Sequence, residues 1–558
     1  MKVVLAAVNS KFIHSNLAVR YLKYYTKDLE YDSIIKEYTI NDRKENILES
    51  LVCEKADIIC FSCYIWNIEY VKAIATLVKL VNPSIKILYG GPEVTYDSKD
   101  FLTNTPGEYV IEGEGEQTYR EFIEKILKRE DVKNIKGLYV KDKEKIYYGG
   151  PRENMSMEDI VFPYRDMTEL ENKIVYYEAS RGCPFNCKYC LSSTLHGVRF
   201  QKIERVKDEI KFFVDKKVKL IKFVDRTFNC DHKFAKEIWS YIVNLDTNTT
   251  FHFEISADLL REDEIEILSK SPKGRIQFEV GVQTTNNKIL NNINRYVNFE
   301  SIKEKVEELE KMKNIKQHLD LIAGLPGENL ESFKNSFNDV HSIYPEEIQL
   351  GFLKLLKGSS MRYEAEKWGM VYSPYPPYEI LKTKDISYDE LLILKKVEAV
   401  VDKYYNSGKF NNILKYFIPK FKTYFNFYNS LAKFCDEKGY FARNISSSDY
   451  YKIFVDFNEE VINEDSESLK EIIKFDYLEY NKKRWIPNFL NREMDKKVKK
   501  NLKNQVLKDN HDLSDNIHIE KFFVDIQQFL DTGKIIKKDM YVIFDEKRRN
   551  NIVFVKKC

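Results

Sequence analysis

Three cysteines stand in one short stretch, Glu178-Ala-Ser-Arg-Gly-Cys-Pro-Phe-Asn-Cys-Lys-Tyr-Cys-Leu, which places Cys183, Cys187 and Cys190 in a C-x3-C-x2-C array. Three thiolates on one loop can ligate three irons of a four-iron four-sulfur cluster. The fourth iron is then open to a substrate or cofactor, whereas a fourth cysteine would close it. A structural zinc site needs a fourth ligand, and the near candidate is His196. Gly182 and Pro184 favour a tight loop that wraps the thiols round one centre, and Tyr189 adds an aromatic face.

With its preceding Arg-Gly, this stretch resembles the signature of the radical S-adenosylmethionine (radical SAM) enzymes. The resemblance implies that the open iron chelates SAM and that reduction cleaves SAM to a 5′-deoxyadenosyl radical. Later residues resemble the coproporphyrinogen-oxidase-like branch: Gly281-Val-Gln283, then Leu290 and Arg295, then Asp320-Leu-Ile-Ala-Gly-Leu-Pro-Gly327. By that resemblance Glu254 contacts the amino or carboxylate end of SAM, and Arg295 pairs with the carboxylate, for which its planar fork is suited. Gln283 and Asp320 contact the ribose region, Tyr189 stands by SAM, and Gly324 and Gly327 let backbone lie against adenine. The usual Gly-Gly-Glu loop is replaced by Val224-Asp225-Arg226-Thr227, where Asp225 is the candidate SAM contact. Cys230 reads as an ordinary barrel cysteine.

The elements that must position these groups fall into an α/β pattern. In the first 150 residues, short apolar runs alternate with amphipathic stretches. Strands are expected at Val3–Val8, Ser33–Ile40, Ile58–Ile65, Ile85–Tyr89 and Tyr109–Ile111. Helices are expected at His14–Lys27, Arg43–Cys53, Ile68–Val81 and Gln117–Lys128. Such units build a doubly wound, Rossmann-like sheet whose ligands bind at the carboxyl ends of the strands. There lie Asn9-Ser10, Ser62-Cys63-Tyr64-Ile65-Trp66-Asn67, Gly90-Gly91-Pro92-Glu93 and Gly113-Glu114-Gly115-Glu116. Glycines allow close backbone approach, and Ser and Asn supply uncharged hydrogen bonds. The combination resembles the cobalamin-binding domain that precedes many radical SAM domains, with Asn9, Ser62, Tyr64, Gly91, Gly113 and Glu114 as implied contacts. The D-x-H-x-x-G motif of many such domains is missing, since His14, the region's only histidine, has no Asp two residues before it. Asp509-Asn-His511 imitates the motif's start by chance. Neither a Walker A nor a G-x-G-x-x-G loop is present. Cys60-x-x-Cys63 reads as a buried core pair.

A hairpin over Gly137–Tyr148 and a linker over 151–172 lead to a second region, 173–370. Its strands are expected at Ile174–Glu178, Leu220–Val224, Thr250–Ile255, Arg275–Val280, His318–Ile322 and Glu347–Phe352. Six β/α units fit the partial (β/α)6 barrel of radical SAM enzymes, with catalytic groups at the C-terminal strand ends. After Pro374-Tyr-Pro-Pro377, residues 371–558 read as mostly helical, a cap on the barrel with a terminal hairpin at Tyr541–Phe544 and Asn551–Val555. The basic run Lys496–Lys503 reads as a solvated helix face.

The 558 residues carry 89 Lys plus Arg against 87 Asp plus Glu, so no basic excess points to nucleic acid. The nine cysteines do not form a disulfide scaffold. The start reads as a strand rather than a signal peptide, and no apolar run reaches the ~18 residues of a membrane span. These readings imply a reduced, cytoplasmic, anaerobic setting. By resemblance the activity is SAM cleavage with cobalamin-dependent methylation or rearrangement of an unactivated carbon. The substrate is a small molecule or natural product, and the electron donor a flavodoxin or ferredoxin. Radical SAM chemistry without cobalamin and a non-enzymatic iron–sulfur sensor are the alternatives. A methylthiotransferase fits less well, because no extra N-terminal cysteine triad is apparent.

Overall fold

The computed structural model describes residues 1–165, 167, 170–194, 197–481, 485–490, 494, 496–509, 514, 516–545, 547 and 552–556. His196, Asn510, His511, Asn551 and Cys558 lie outside them. The chain forms two compact units, Met1–Phe333 with Gly351–Tyr388, and Lys334–Leu350 with Asp389–Cys558.

The first unit opens with β1 (Lys2–Asn9), α1 (Leu17–Tyr25), β2 (Asp32–Thr39), α2 (Lys44–Cys53), β3 (Ile58–Ser62), α3 (Ile68–Val81) and β4 (Lys86–Gly90). Two short helices follow, α4 (Pro92–Thr95) and α5 (Ser98–Asn104), then β5 (Tyr109–Ile111), α6 (Glu116–Lys128), β6 (Leu138–Asp142) and β7 (Lys145–Tyr148). The sheet order is β2-β1-β3-β4-β5-β6-β7, with five parallel strands and an antiparallel hairpin at one edge. A central parallel strand is covered on both faces, so it reads as a continuous apolar run. In β1, Val3 to Val8 are all buried. Their side chains alternate between two cores: Val4, Ala6 and Val8 pack with Ile59, Phe61, Val71 and Ile74, and Val3, Leu5 and Ala7 with Ile58, Leu88, Phe122 and Ile123. Each fully buried Val, Leu or Ile contributes about 1.5–3 kcal/mol before entropy is counted. Cys60 and Cys63 are both buried, but in opposite layers. They are separate core residues rather than a pair, because the odd spacing in a strand reverses the face.

Toward the second sheet the chain runs through β8 (Val175–Tyr177), then a separate two-stranded hairpin of β9 (Ser180–Cys183) and β10 (Gly197–Phe200), then α7 (Ile203–Asp215), β11 (Leu220–Phe223), α8 (His232–Val243), β12 (Thr250–Ile255), α9 (Glu262–Ser269) and β13 (Ile276–Gln283). It continues through α10 (Asn287–Asn292), α11 (Phe299–Met312), β14 (Lys316–Ala323), α12 (Leu330–Ser342), β15 (Glu347–Phe352), α13 (Ser360–Tyr363) and a small hairpin, β16 (Val371–Tyr372) with β17 (Ile380–Lys382). The order β15-β14-β13-β12-β11-β8 is open, a partial barrel of six strands. Period-two alternation divides its strands. Phe251, Phe253, Phe278, Val280, Leu319 and Leu321 are buried on one face. Lys222, His252, Glu254, Glu279 and Asp320 stand on the other, where Lys222 and His252 reach Glu279 at 2.9 and 3.0 Å.

The second unit contains α14 (Tyr388–Val400), α15 (Asn411–Phe417), α16 (Tyr424–Glu437), α17 (Asp449–Phe457), α18 (Ser466–Tyr480) and α19 (Lys496–Asp509). It ends with β18 (Ile517–Val524), α20 (Ile526–Thr532), β19 (Lys537–Asp545) and β20 (Ile552–Lys556). The expected hairpin is therefore part of a three-stranded antiparallel sheet, whose first strand was missed. A register shift between Phe522 and Val524 interrupts the alternation that would have shown it. Phe475 and Leu478 of α18 pack on Phe522, Met540 and Val542. No helix among the described residues is long and apolar enough to cross a membrane.

Candidate functional site

The cysteines sit at the end of a hairpin that their sequence gave little sign of. β9 pairs antiparallel with β10, and Cys183 lies opposite Gly197. From Pro184 the loop turns, with Cys190 N donating to Cys187 O at 3.1 Å. It is pinned by Lys188 N to Ile293 O at 3.0 Å, by Met361 N to Lys188 O at 2.9 Å, and by the Lys188–Glu364 ion pair at 2.9 Å. The three cysteines line one cavity of about 170 Å³ with Tyr189, Arg226, Thr227, Glu254, Glu279, Gly281, Gln283, Arg295 and Asp320. Among the described residues no set of three or more Cys, His, Asp and Glu side chains converges on a single-ion site. A cluster in which each thiolate takes its own iron requires only that the thiols face one space.

Tyr189, Glu254, Gln283, Arg295 and Asp320, expected on SAM, are thus brought together. Three of them carry buried polar atoms without a hydrogen-bond partner: Gln283 Oε1, Arg295 Nε and Asp320 Oδ1. Buried polar groups are ordinarily paired, so these point to a polar ligand. Gln283 is turned into the cavity by a positive φ of 71° at an irregularity in β13. A Cβ at Gly281 would stand 2.4 Å from Gln283 Nε2, and Arg295 donates to the Gly281 carbonyl. Burial, with Glu279 and Glu254 nearby, pushes the Asp320 carboxyl well above its usual range. Burial also raises Glu254, against the pull of Arg226 at 4.0 Å. Glu279 would be raised by burial too, but the His252 hydrogen bond and the Lys222 cation bring it down to about 2.

Other expectations are corrected. Asp225 lines neither cavity; it is 1% exposed and accepts from Ala179 N at 3.1 Å and Ser180 Oγ at 2.5 Å, bracing the strand that enters the cysteine loop. Gly324 and Gly327 also line neither cavity. A Cβ on Gly324 would meet Ile380 at 2.7 Å, and one on Gly327 would meet Asn292 at 2.9 Å. Cys230, expected as an ordinary barrel cysteine and not among these corrections, lies on the turn Phe228–Cys230 and lines neither cavity.

A second cavity, of about 750 Å³, lies where the strand-end loops of the first sheet face the second sheet. Asn9, Ser62, Tyr64, Gly91, Gly113 and Glu114 all line it. The loops are tied together. Asn16 Nδ2 donates to Ser62 Oγ at 3.0 Å, Asn9 Nδ2 to His14 O at 3.1 Å, and Tyr64 stacks on Trp66 at 4.4 Å. Gly91, at φ +118°, lies so close to Cys63 O that a Cβ would stand 2.5 Å from it. Leu5, Val19, Leu22, Cys60, Leu88 and Ile111 carry the lining down into the apolar layer beside α1. His14 Nδ1 is bonded to Tyr176 Oη of β8 at 2.6 Å.

The second sheet, its strand-end loops and the β9–β10 hairpin contribute residues to this cavity that sequence reasoning did not assign: Tyr176, Glu178, Arg181 and Arg226. The Gly-Glu-Gly-Glu loop grips the cysteine hairpin. Arg181 pairs with Glu116, with Glu178 at 2.8 Å and with Glu114 at 3.5 Å, and Glu114 also holds Arg199 and accepts from Met155 N at 2.9 Å. Burial would raise the Glu114 carboxyl, but Arg199 and Arg181 bring it down. Arg226 lines both cavities. Its place directly after a barrel strand was the one signal that marked it.

Residues 3–123 match the family model of the B12 binding domain, 177–340 that of the radical SAM superfamily, and 366–544 one described as a protein of unknown function, DUF4080. The chain thus matches a B12 binding domain followed by a radical SAM domain, a domain pair that implies a four-iron four-sulfur cluster, SAM and cobalamin. It is similar to an uncharacterized methyltransferase of Pyrococcus horikoshii, 31% identical over 180 residues, 30% of this chain and 38% of that one. It is also similar to a 2-(S-pantetheinyl)-carbapenam-3-carboxylate methyltransferase of Streptantibioticus cattleyicolor, 27% identical over 319 residues, 51% of this chain and 44% of that one. The chain therefore spans less than half the length of either relative. In fold it is similar to the radical S-adenosylmethionine methyltransferase TsrM of Kitasatospora setae, solved with cobalamin and a [4Fe-4S] cluster. The TM-score is 0.56 at 15% identity, over 68% of this chain and 79% of that one.

Proposed function

We propose that this protein is a cobalamin-dependent radical SAM enzyme that transfers a methyl group to an unactivated carbon of a small molecule. The observation that carries the reading is the adjacency of the two cavities through Arg226, one lined by the three cysteines and the other by the six strand-end loop residues. Cys183, Cys187 and Cys190 would hold the cluster. Arg295 would take the SAM carboxylate, Glu254 the amino end, and Gln283 and Asp320 the ribose, with Tyr189 alongside. The buried, unpartnered atoms of Gln283, Arg295 and Asp320 support this assignment. Asn9, Ser62, Tyr64, Gly91, Gly113 and Glu114 would hold cobalamin, with the apolar slot under Leu88 and Ile111 open to its less polar part.

When bound, the cluster and SAM supply one-electron carbon–sulfur cleavage, and cobalamin supplies a methyl carrier. The chain's own residues orient and enclose. The Arg181–Glu114–Glu116 network fixes the cysteine hairpin against the cobalamin loops. Positioning of this kind lowers a barrier by removing the entropy of bringing reactants together. The electron would come from a reduced flavodoxin or ferredoxin, in the cytoplasm.

The test is made on anaerobically reconstituted protein supplied with cobalamin and desalted. Near four irons and one cobalt per chain, with 5′-deoxyadenosine and S-adenosylhomocysteine formed on reduction in the presence of SAM, is the expected result. Iron without retained cobalt would leave radical SAM chemistry and remove cobalamin. Iron retained in a Cys183→Ala/Cys187→Ala/Cys190→Ala variant would overturn the whole reading.

A further inference from the structure

Three guanidinium groups line the two cavities, and two of them are committed. Arg181 is wrapped by Glu178, Glu116 and Glu114. Arg295 donates to Gly281 O and lies beside Cys187 and Tyr189. Arg226 differs. Its side chain remains 55% exposed, its carboxylate partner Glu254 stands at 4.0 Å, and among the described residues no hydrogen bond holds its guanidinium. It alone of the three lines both cavities.

A molecule that reacts with groups held in both cavities must lie where the cavities meet. There Arg226 presents a planar fork of N–H donors, whose geometry matches a carboxylate or a phosphate bidentately. The residue stands in Val224-Asp225-Arg226-Thr227, where the radical SAM pattern has Gly-Gly-Glu, and a cation there repels an ammonium group rather than binding it. We infer that Arg226 is the recognition residue for an anionic group of the substrate, a carboxylate or a phosphate monoester, at the junction of the two cavities. The inference rests on the activity proposed above, because it takes the junction to be the place of reaction.

The test uses protein loaded with cluster, cobalamin and SAM and kept without reductant, so that nothing turns over and the SAM carboxylate site is filled. It is titrated calorimetrically with inorganic phosphate and, separately, with benzoate. One of the two should bind saturably at one site per chain, and the arm that binds says which anion the substrate carries. Arg226→Gln should weaken that binding on the order of tenfold or more, the loss expected for charge-assisted hydrogen bonds. Arg226→Lys should fall between, since it keeps the charge and loses the fork. Iron content, cobalamin retention and SAM affinity should stay at wild-type levels in both variants. Equal anion affinity in wild type and variants, or no saturable binding of either anion, would overturn the inference. A parallel loss of SAM or cobalamin affinity would also overturn it, by assigning Arg226 to a cofactor. Because the titration needs no turnover, its failure is distinct from a failure to cleave SAM, which would strike the proposed activity.

Discussion

Two glycines of the cysteine hairpin make opposite demands, and the contrast gives a sharp test of how that hairpin holds the cysteines. Gly182 has φ +102°, and a Cβ built on it would stand 2.1 Å from Gly197 O, across the β9–β10 pair. Gly197 has φ +80°, and a Cβ there would meet nothing within 4 Å. Alanine at either position meets backbone strain of about 1–2 kcal/mol. At Gly182 the contact must also open by roughly 1 Å. The obstacle is a backbone carbonyl, which cannot rotate away as a side chain would. Opening the pair there weakens one or two ladder hydrogen bonds, at about 0.5–1.5 kcal/mol each. Gly182→Ala should therefore cost about 2–4 kcal/mol locally, and Gly197→Ala about 1–2 kcal/mol. Cys183 is the next residue and lies opposite Gly197, so the larger distortion moves one thiol relative to the other two. The assay is iron per chain after anaerobic reconstitution, together with the visible absorption of the cluster. Gly182→Ala should lose most of its iron, and Gly197→Ala should keep most of it. Equal losses, or full iron in Gly182→Ala, would refute the claim that the hairpin sets the position of Cys183.

Three further outcomes follow from the same geometry. Gly91→Ala, whose Cβ would stand 2.5 Å from Cys63 O, should abolish cobalamin retention through desalting; wild-type retention would show that the Gly-Gly-Pro loop is not held against Cys63. Arg181→Gln removes the guanidinium between Glu114, Glu116 and Glu178. It should destabilise by about 3–5 kcal/mol, the cost of unpaired buried charge, and lower the melting temperature more at neutral than at mildly acidic pH, since protonation relieves the repulsion. Burial raises Asp225 to about 7, against about 4 unfolded. Between those values the unfolded chain has released a proton that the folded chain keeps, so this group's contribution to stability falls as pH rises. The melting temperature of Asp225→Asn relative to wild type should improve from pH 5 to pH 7.5, and a wild-type advantage that grows with pH would contradict the buried, raised carboxyl.

Much of this protein was legible from residue spacing, because the relevant interactions are short in sequence. The C-x3-C-x2-C array lies on one loop, and the short continuous apolar run Val3–Val8, rich in β-branched valine, reads as a strand covered on both faces. Alternation in Phe251-His-Phe-Glu-Ile separates a buried face from the face that carries His252 and Glu254. The strand-end loops followed from the same count, since a parallel sheet brings every β-to-α turn to one edge. Only the tertiary structure decided which side chains at those ends face the cavities. Asp225 and Arg226 are neighbours at the end of one strand. Packing turned Asp225 back onto Ala179 and Ser180, and left Arg226 at the meeting of two cavities. A Cβ on Gly324 would meet Ile380, far along the chain. The latch of Arg181 on Glu114 and Glu116 joins residues more than sixty positions apart. Such choices depend on how separate loops are brought together in space, and local propensity carries no record of that.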